Sequence, residues 1–379
     1  MAGFDTFGEQ TARRTISGAA RVLLALKLDG PLLIGLGLVA AYGLVILYSA
    51  SGQDWGTVTR AVLRLGLGTV AMVALAQVNP HILRRAALPI YLLGIVLLIV
   101  VDVTGYIGKG AQRWLDLGFI RFQPSEIMKL AVPMLCAWYL HERPLPPSPV
   151  SLLVVGAMIA IPAGLTAAQP DLGTAMLITI GGALVVVMAG LQMWLIGGAA
   201  ILAVVGAWFG WSMLHDYQRL RVLTFIDPQT DPLGAGYHII QSQIAIGSGG
   251  IFGKGYMQGS QAQLDYLPER HTDFIFAVIG EEFGLIGLAV LILLYLFVVG
   301  RAMYLATQMQ DTFARLLSSS LALTFFVYIF INTGMVSGLL PVVGVPLPLV
   351  SYGGTSMVTL LAGFGILMAL TSHRKLVGS

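Results

Sequence analysis

The stretch "LPERHTDFIFAVIGEEFGLIGLAVLILLYLFVVG", residues 267–300, decides the fold. A bilayer core of about 30 Å needs about 20 apolar residues at 1.5 Å rise each, and the run from Asp273 onward exceeds that. Yet it opens on a carboxylate, Asp273, and carries Glu281 and Glu282 inside it. A charge at mid-bilayer costs on the order of 2.5–3.5 kcal/mol on insertion scales, so each one retained needs a reason.

The rest of the chain agrees with a membrane reading. It has 379 residues, 57% hydrophobic and 10% charged, against about 25% charged in soluble domains. Ten apolar runs follow one another: 31–50, 58–78, 86–105, 124–141, 149–168, 172–190, 193–214, 273–300, 314–338 and 352–372. A barrel would alternate apolar and polar residues, and these runs do not. The expected fold is therefore an all-α polytopic membrane protein of ten transmembrane helices. Residues 1–30 precede it as a cytoplasmic segment, and 31–375 form a single domain that includes a large 215–272 loop between helices 7 and 8. The segment 10–28 mixes basic and apolar residues and suits the membrane interface. Positive charge is richer on the side of the termini, which places both termini in the cytoplasm and the loops 106–123, 215–272 and 339–351 outside.

Several function classes fall away. The net charge of +3 is small and carries no argument about nucleic acid, which is not an expected partner. Cys136 is the lone cysteine, so no internal disulfide forms. No cleavable signal peptide is expected, because the first apolar run is too long for one. "GSGGIFGKGYMQGS" has neither the spacing of a nucleotide loop nor that of a dinucleotide fingerprint. No His/Cys cluster has metal-ligand spacing.

The remaining ionisable residues carry the functional question. Asp273 serves either as a helix cap or as a chemical group. Glu281 lies about 12 Å deeper and about 80° around the helix, so both residues can border one cavity; at least one of Glu281 and Glu282 is expected to pair inside the bundle. Glu126 and Lys129, three residues apart, share a helix face. They form a structural ion pair, or Lys129 offers its charge to an anionic substrate. Asp171 follows Pro170 as a helix cap would, and Arg60 is placed to snorkel. Arg113 belongs to the outward 106–123 loop. Arg60, Glu126, Lys129, Asp171 and Asp273 all fall near the outer ends of different helices, and one outward polar cavity explains them together.

Five stretches carry a resemblance: "RFQPSEIMKLAV", "AAQPDLGTA", "DPLGAGYHIIQSQIAIGSGG", "LPERHTDFIFAVIGEEFGLIG" and "GMVSGLLPVVGVPLPLVSYGG". Together they resemble the SEDS family (shape, elongation, division and sporulation), in order and over residues 31–375. "GAQRWLDLG" and "LPERHTDF" are similar to its elongation branch. The resemblance implies a peptidoglycan glycosyltransferase of the bacterial inner membrane that polymerises lipid II. It implies work beside a class B penicillin-binding protein, the transpeptidase, and other membrane proteins of the elongation complex. It maps the family's essential carboxylate onto Asp273, its polar pair onto Glu126 and Lys129, its acid after Gln-Pro onto Asp171 and its arginine onto Arg60.

The chemistry suits those residues. An acceptor sugar hydroxyl must attack the donor's anomeric carbon, and a positioned base contributes about 10²–10⁴-fold. Partial burial would raise the pKa of Asp273 and make it a better base. Lys129 and Arg60 would stabilise the departing undecaprenyl pyrophosphate. The cofactor stays open, since a divalent cation (Mg or Mn) can do the same. The rival readings are a lipid II flippase, which needs access from both faces, and a noncatalytic scaffold.

Overall fold

A computed structural model of the chain describes residue 23 and residues 25–372, apart from 109–110, 117–120, 192–196, 199–200, 202–204, 207–218, 220–222, 226, 228–234, 265 and 268. The elements run α1 (Gly30–Ala50), α2 (Trp55–Ala76), α3 (Pro80–Thr104), β1 (Tyr106–Gly108), β2 (Ala111–Asp116), β3 (Arg121–Phe122), α4 (Pro124–Leu140), α5 (Pro149–Ala168) and α6 (Leu172–Met188). They continue as α7 (Ala235–Gly249), α8 (Ser260–Gln263), α9 (Ile275–Thr307), α10 (Thr312–Val336) and α11 (Thr355–Ser372). Among the described residues seven helices are long and apolar enough to cross a membrane: α1, α2, α3, α5, α9, α10 and α11. The apolar α6 is shorter. The seventh expected run, 193–214, falls mostly outside the described residues, as do the N-terminal segment and part of the 215–272 loop.

Local chemistry starts these helices where the sequence punctuates them. Asp29, Asp54, Asn79, Ser148 and Asp311 each accept a hydrogen bond from a backbone N–H in the first turn they precede. Three of those caps stand next to a proline at the first or second helical position, where its missing N–H costs nothing. Each cap satisfies donors that hydrocarbon would leave unpaired.

The centre of the bundle is α10, whose window is 72% buried, against 28% for α5. One apolar core joins α1, α9, α10 and α11, and a second joins α3, α4, α5 and α6 to α10 and α11. Outward-facing Leu63, Val103, Leu153 and Leu293 are exposed. Lipid tails cover such residues in a membrane protein, so the packing term comes from close contact inside. Gly365 shows that contact: a Cβ there would lie 2.4 Å from the Met72 carbonyl oxygen, which lets α11 press on α2.

Two expectations were coarser than the structure. The chain is mostly helical, and besides its helices residues 106–108, 111–116 and 121–122 form a three-stranded antiparallel sheet in the order β1-β2-β3. Pairing satisfies backbone groups that would otherwise meet the protein or membrane rim unbonded. Within the expected 215–272 connection the structure forms α7 and α8.

The run that opened the sequence reading is not one continuous helix. At Gly284 the backbone turns to φ 64°, ψ −158°, a conformation open in practice to glycine alone. The glycine-rich 249–255 segment lies against the break. The N–H groups of Lys254 and Gly255 donate to the carbonyls of Glu281 and Glu282, at 2.9 and 3.0 Å. Those of Leu285 and Ile286 donate to Gly250 and Ile251, at 2.9 and 3.2 Å. The segment thus supplies hydrogen bonds that the interrupted helix has lost. A Cβ on Gly253 would meet the Glu282 carbonyl oxygen at 2.1 Å, which explains the glycine opposite the break.

Candidate functional site

The starts of α4, α6 and α11, the turn before α9 and the distal part of α10 converge on a cavity of about 240 Å³. Five of the seven residues singled out in the sequence line it: Arg113, Glu126, Lys129, Asp171 and Asp273. Gln123, Glu269, Tyr328, Tyr352 and Ser356 join them.

Asp273 is half-buried and sits two residues ahead of α9. The N-cap position belongs to Phe274, whose own side chain makes no cap hydrogen bond. The main chain around it is held from two directions. Asn332 Nδ2, fully buried on α10, donates to the carbonyls of Asp273 at 2.9 Å and Val345 at 2.7 Å. Ser351 Oγ donates to the Thr272 carbonyl and accepts from Leu347 N, while Tyr352 N donates to the His271 carbonyl at 2.8 Å. The proline-broken 339–354 segment is thereby folded in against residues 271–273, burying Val345, Leu347, Leu349 and Val350. Gly344, at φ +73°, passes close to the Asp273 carboxylate.

Glu126 and Lys129 form a 2.7 Å ion pair one helical turn apart, with 6% of each side chain exposed. Lys129 Nζ also lies 5.5 Å from the centroid of the Tyr328 ring. Glu126 Oε2 is buried without a hydrogen-bond partner.

Asp171 divides its two oxygens. Oδ1 accepts from Thr174 N at 3.2 Å, which makes it the cap of α6. Oδ2 accepts from Gln123 Nε2 at 2.9 Å and lies 3.4 Å from Arg113 Nη1. The cap reading and the cavity reading are both realised in one side chain.

Arg60 stands outside the cavity lining, exposed at the start of α2. It reaches the wall indirectly, donating from Nε to the Tyr352 hydroxyl at 3.2 Å. The Arg64 guanidinium lies 4.5 Å from the centroid of the same ring. Nearby, Asp54 is held below the usual carboxylate range, chiefly by the Thr57 hydroxyl and then by Gly56 N–H.

Glu281 does not border the cavity. Its carboxylate is fully buried and turned to the 254–262 segment. It accepts from Lys254 Nζ at 2.7 Å, Gln261 N at 2.9 Å and Ala262 N at 3.2 Å. It thus caps α8 and binds that segment beside the Gly284 break, so a role in holding substrate has no geometry here. Glu282, also buried, accepts from Ser49 Oγ on α1.

Of the lining residues that sequence reasoning passed over, Gln123, Tyr328, Tyr352 and Ser356 are uncharged, and Glu269 stands in a turn outside the apolar runs. A search for charges at membrane depth has no signal for them. Among the described residues no group of three His, Cys, Asp or Glu side chains is placed to hold a metal ion.

Fold and site together define a polytopic helical membrane protein with a charged cavity at one end of its bundle. Residues 29–376 match the FtsW/RodA/SpoVE family model, described as "Cell cycle protein", and the chain belongs to that family, the SEDS proteins. It is 50% identical over 351 residues to the peptidoglycan glycosyltransferase MrdB of Escherichia coli K12, an alignment covering 92% of this chain and 95% of that one. Among solved structures it resembles a chain from a peptidoglycan synthase complex that coordinates polymerization and crosslinking. The TM-score there is 0.80 at 33% identity, covering 92% of this chain and 98% of the other. It also resembles the rod shape determining protein RodA of Thermus thermophilus, with TM-score 0.70 at 30% identity, covering 92% and 97%.

Proposed function

We propose that this chain is a peptidoglycan glycosyltransferase that polymerises lipid II into glycan strands for cell elongation. The observation that carries the reading is the cavity itself, where Asp273, the Glu126–Lys129 pair and the Arg113–Asp171 pair line one space. Asp273 is the general base: it takes the proton of the acceptor sugar hydroxyl as that oxygen attacks the donor's anomeric carbon. The bond from that carbon to the undecaprenyl pyrophosphate oxygen breaks, and Lys129 meets the departing charge. Arg60 acts from the rim through Tyr352. A divalent cation, Mg or Mn, would supply additional positive charge for the pyrophosphate.

The chain is an inner-membrane protein in this reading. Ten helices cross the bilayer, both termini are cytoplasmic, and the cavity opens to the periplasm, where glycan is built. The partner is a class B penicillin-binding protein, which crosslinks the strands. Its support is the likeness to a chain from a complex that coordinates both reactions.

A flippase reading has one observation in its favour, the helix break at Gly284, since interrupted helices recur in transporters. The test is polymer formation by the purified full chain on fluorescent lipid II in detergent, alone and with its partner. Detergent leaves no membrane potential and no second compartment. Glycan ladders on a gel support the enzyme; intact lipid II with both proteins folded contradicts it.

A further inference from the structure

Glu281 stands outside the cavity, yet its fully buried carboxylate receives four donors. Oε1 accepts from Lys254 Nζ at 2.7 Å, Gln261 N at 2.9 Å and Ser260 Oγ at 3.2 Å, and Oε2 accepts from Ala262 N at 3.2 Å. Gly259 allows that approach, since a Cβ there would lie 2.7 Å from Oε2. A buried, well-satisfied polar network rigidifies whatever it joins. Here it joins a segment of chain to the short piece of helix that follows Asp273.

That piece, residues 275–283, is the part of α9 ahead of the Gly284 break. The break separates its direction from that of the membrane-spanning remainder, so its neighbours set where it points. On one side Gly249 of α7 packs directly on the Gly280 carbonyl, with no room for a Cβ. On the other side Glu281 is tied to the 254–262 segment. The same segment also reaches the turn in front of Asp273. The Gln261 carbonyl accepts from Leu267 N at 3.1 Å, and the Ala262 carbonyl accepts from Arg270 Nη1. Gln261 and Ala262 thus spend their N–H groups on Glu281, behind Asp273, and their carbonyls on Leu267 and Arg270, ahead of it. Two consecutive residues brace the Asp273 element at both ends. Neither Glu281 nor Arg270 lines the cavity.

We infer that Glu281 is a positioning residue for Asp273, acting through Gln261, Ala262 and Arg270. This role rests on the proposed assignment of Asp273 as general base. The brace fixes where the carboxylate meets an acceptor hydroxyl, and a misplacement of about 1 Å at a reacting group costs on the order of 10²-fold in rate. Its effect falls on turnover rather than on binding, because Arg113, Glu126, Lys129 and Asp171 reach the cavity from β2, α4 and the start of α6. Glu281→Gln keeps the volume of the side chain but turns an NH₂ group toward donors that the carboxylate had bonded, which loosens the brace.

The test uses the full chain in nanodiscs and has a kinetic and a labelling arm. On fluorescent lipid II, Glu281→Gln and Arg270→Ala should each lower kcat at least about tenfold while lipid II affinity stays within about twofold of wild type. Because both act through the same two residues, the double variant should fall no more than about threefold below the lower single, rather than by the product of the two. Asp29→Asn breaks the Asp29–Arg301 pair at the other end of α9 and serves as the stability control, with Tm lowered and kcat unchanged. In the labelling arm, Asp273→Cys reports its own placement by its rate of reaction with a small methanethiosulfonate; the native Cys136 is fully buried. Adding Glu281→Gln or Arg270→Ala should speed that reaction at least about threefold, and adding Asp29→Asn should not. Wild-type kcat in Glu281→Gln overturns the inference, as does a loss of kcat that only tracks lost lipid II affinity. Independent, multiplying losses in the double variant, or an unchanged labelling rate at position 273, overturn it equally. Faster labelling in a chain whose wild type makes no glycan would keep the brace and remove the enzyme reading.

Discussion

Breaking the Glu126–Lys129 pair separates its two possible roles. The atoms are 2.7 Å apart and each side chain is 6% exposed. Removing one partner of such a pair leaves an uncompensated buried charge and costs about 3–5 kcal/mol. Replacing both with apolar or neutral groups of similar shape is often neutral. The two single variants should differ. Lys129→Met strands a carboxylate whose Oε2 already lacks a partner. Glu126→Gln strands an ammonium that still faces the Tyr328 ring at 5.5 Å, a contact worth up to about 2 kcal/mol when desolvated. In purified protein, Lys129→Met should therefore lower Tm more than Glu126→Gln. The double variant should recover most of the loss. Polymerisation should follow a different order, absent in Lys129→Met and in the double variant, because a restored fold does not restore the cation. Polymer made at wild-type rate by the well-folded double variant would refute the substrate role of Lys129. A double variant as unstable as Lys129→Met would refute the pair as the source of the cost.

Other consequences follow from the same contacts. Gly284→Ala puts a Cβ 2.4 Å from Gly253 N in a backbone region closed to alanine, so Tm should fall by the equivalent of at least about 1–3 kcal/mol, checked by thermal melting in detergent. Glu281→Gln should expose the 254–262 segment to trypsin at Lys254 while binding of lipid II stays near wild type, since Glu281 faces that segment and not the cavity. Gly173→Ala places a Cβ 2.6 Å from the Val343 carbonyl oxygen; it should push the 339–354 segment from α6 and lower kcat, read by initial rates on fluorescent lipid II. Asn332→Ala removes the donor to both Asp273 and Val345, and its kcat should fall more than its lipid II affinity.

Much of the site was legible because charge is expensive in a bilayer. That cost marked Glu126, Lys129, Asp171 and Asp273, and their places near helix starts put them at one depth. The same rule misjudged Glu281. Distance and angle along a regular helix brought it toward Asp273, but its partner Lys254 comes from a distant part of the chain. Pairing across 27 residues leaves no trace in periodicity. Gly284 was invisible for a similar reason: an apolar run with one glycine reads as continuous, and only the 249–255 segment beside it makes the break tolerable. Nine of the expected runs coincide with helices, since apolar length dictates them. The sheet of β1, β2 and β3 escaped because its strands are two to six residues long, too short for an alternating pattern to register. Asp171 shows that competing readings need not exclude each other, for it caps a helix with one oxygen and faces Gln123 and Arg113 with the other.

The most direct measurement compares wild type with Asp273→Asn for two quantities on one preparation: lipid II bound at equilibrium and glycan formed over time. The substitution keeps the size of the side chain and removes its capacity to accept a proton at neutral pH. Unchanged lipid II binding with polymer below detection is the predicted result. Glycan ladders from Asp273→Asn at a rate near wild type would show that the proton leaves the acceptor sugar by another route.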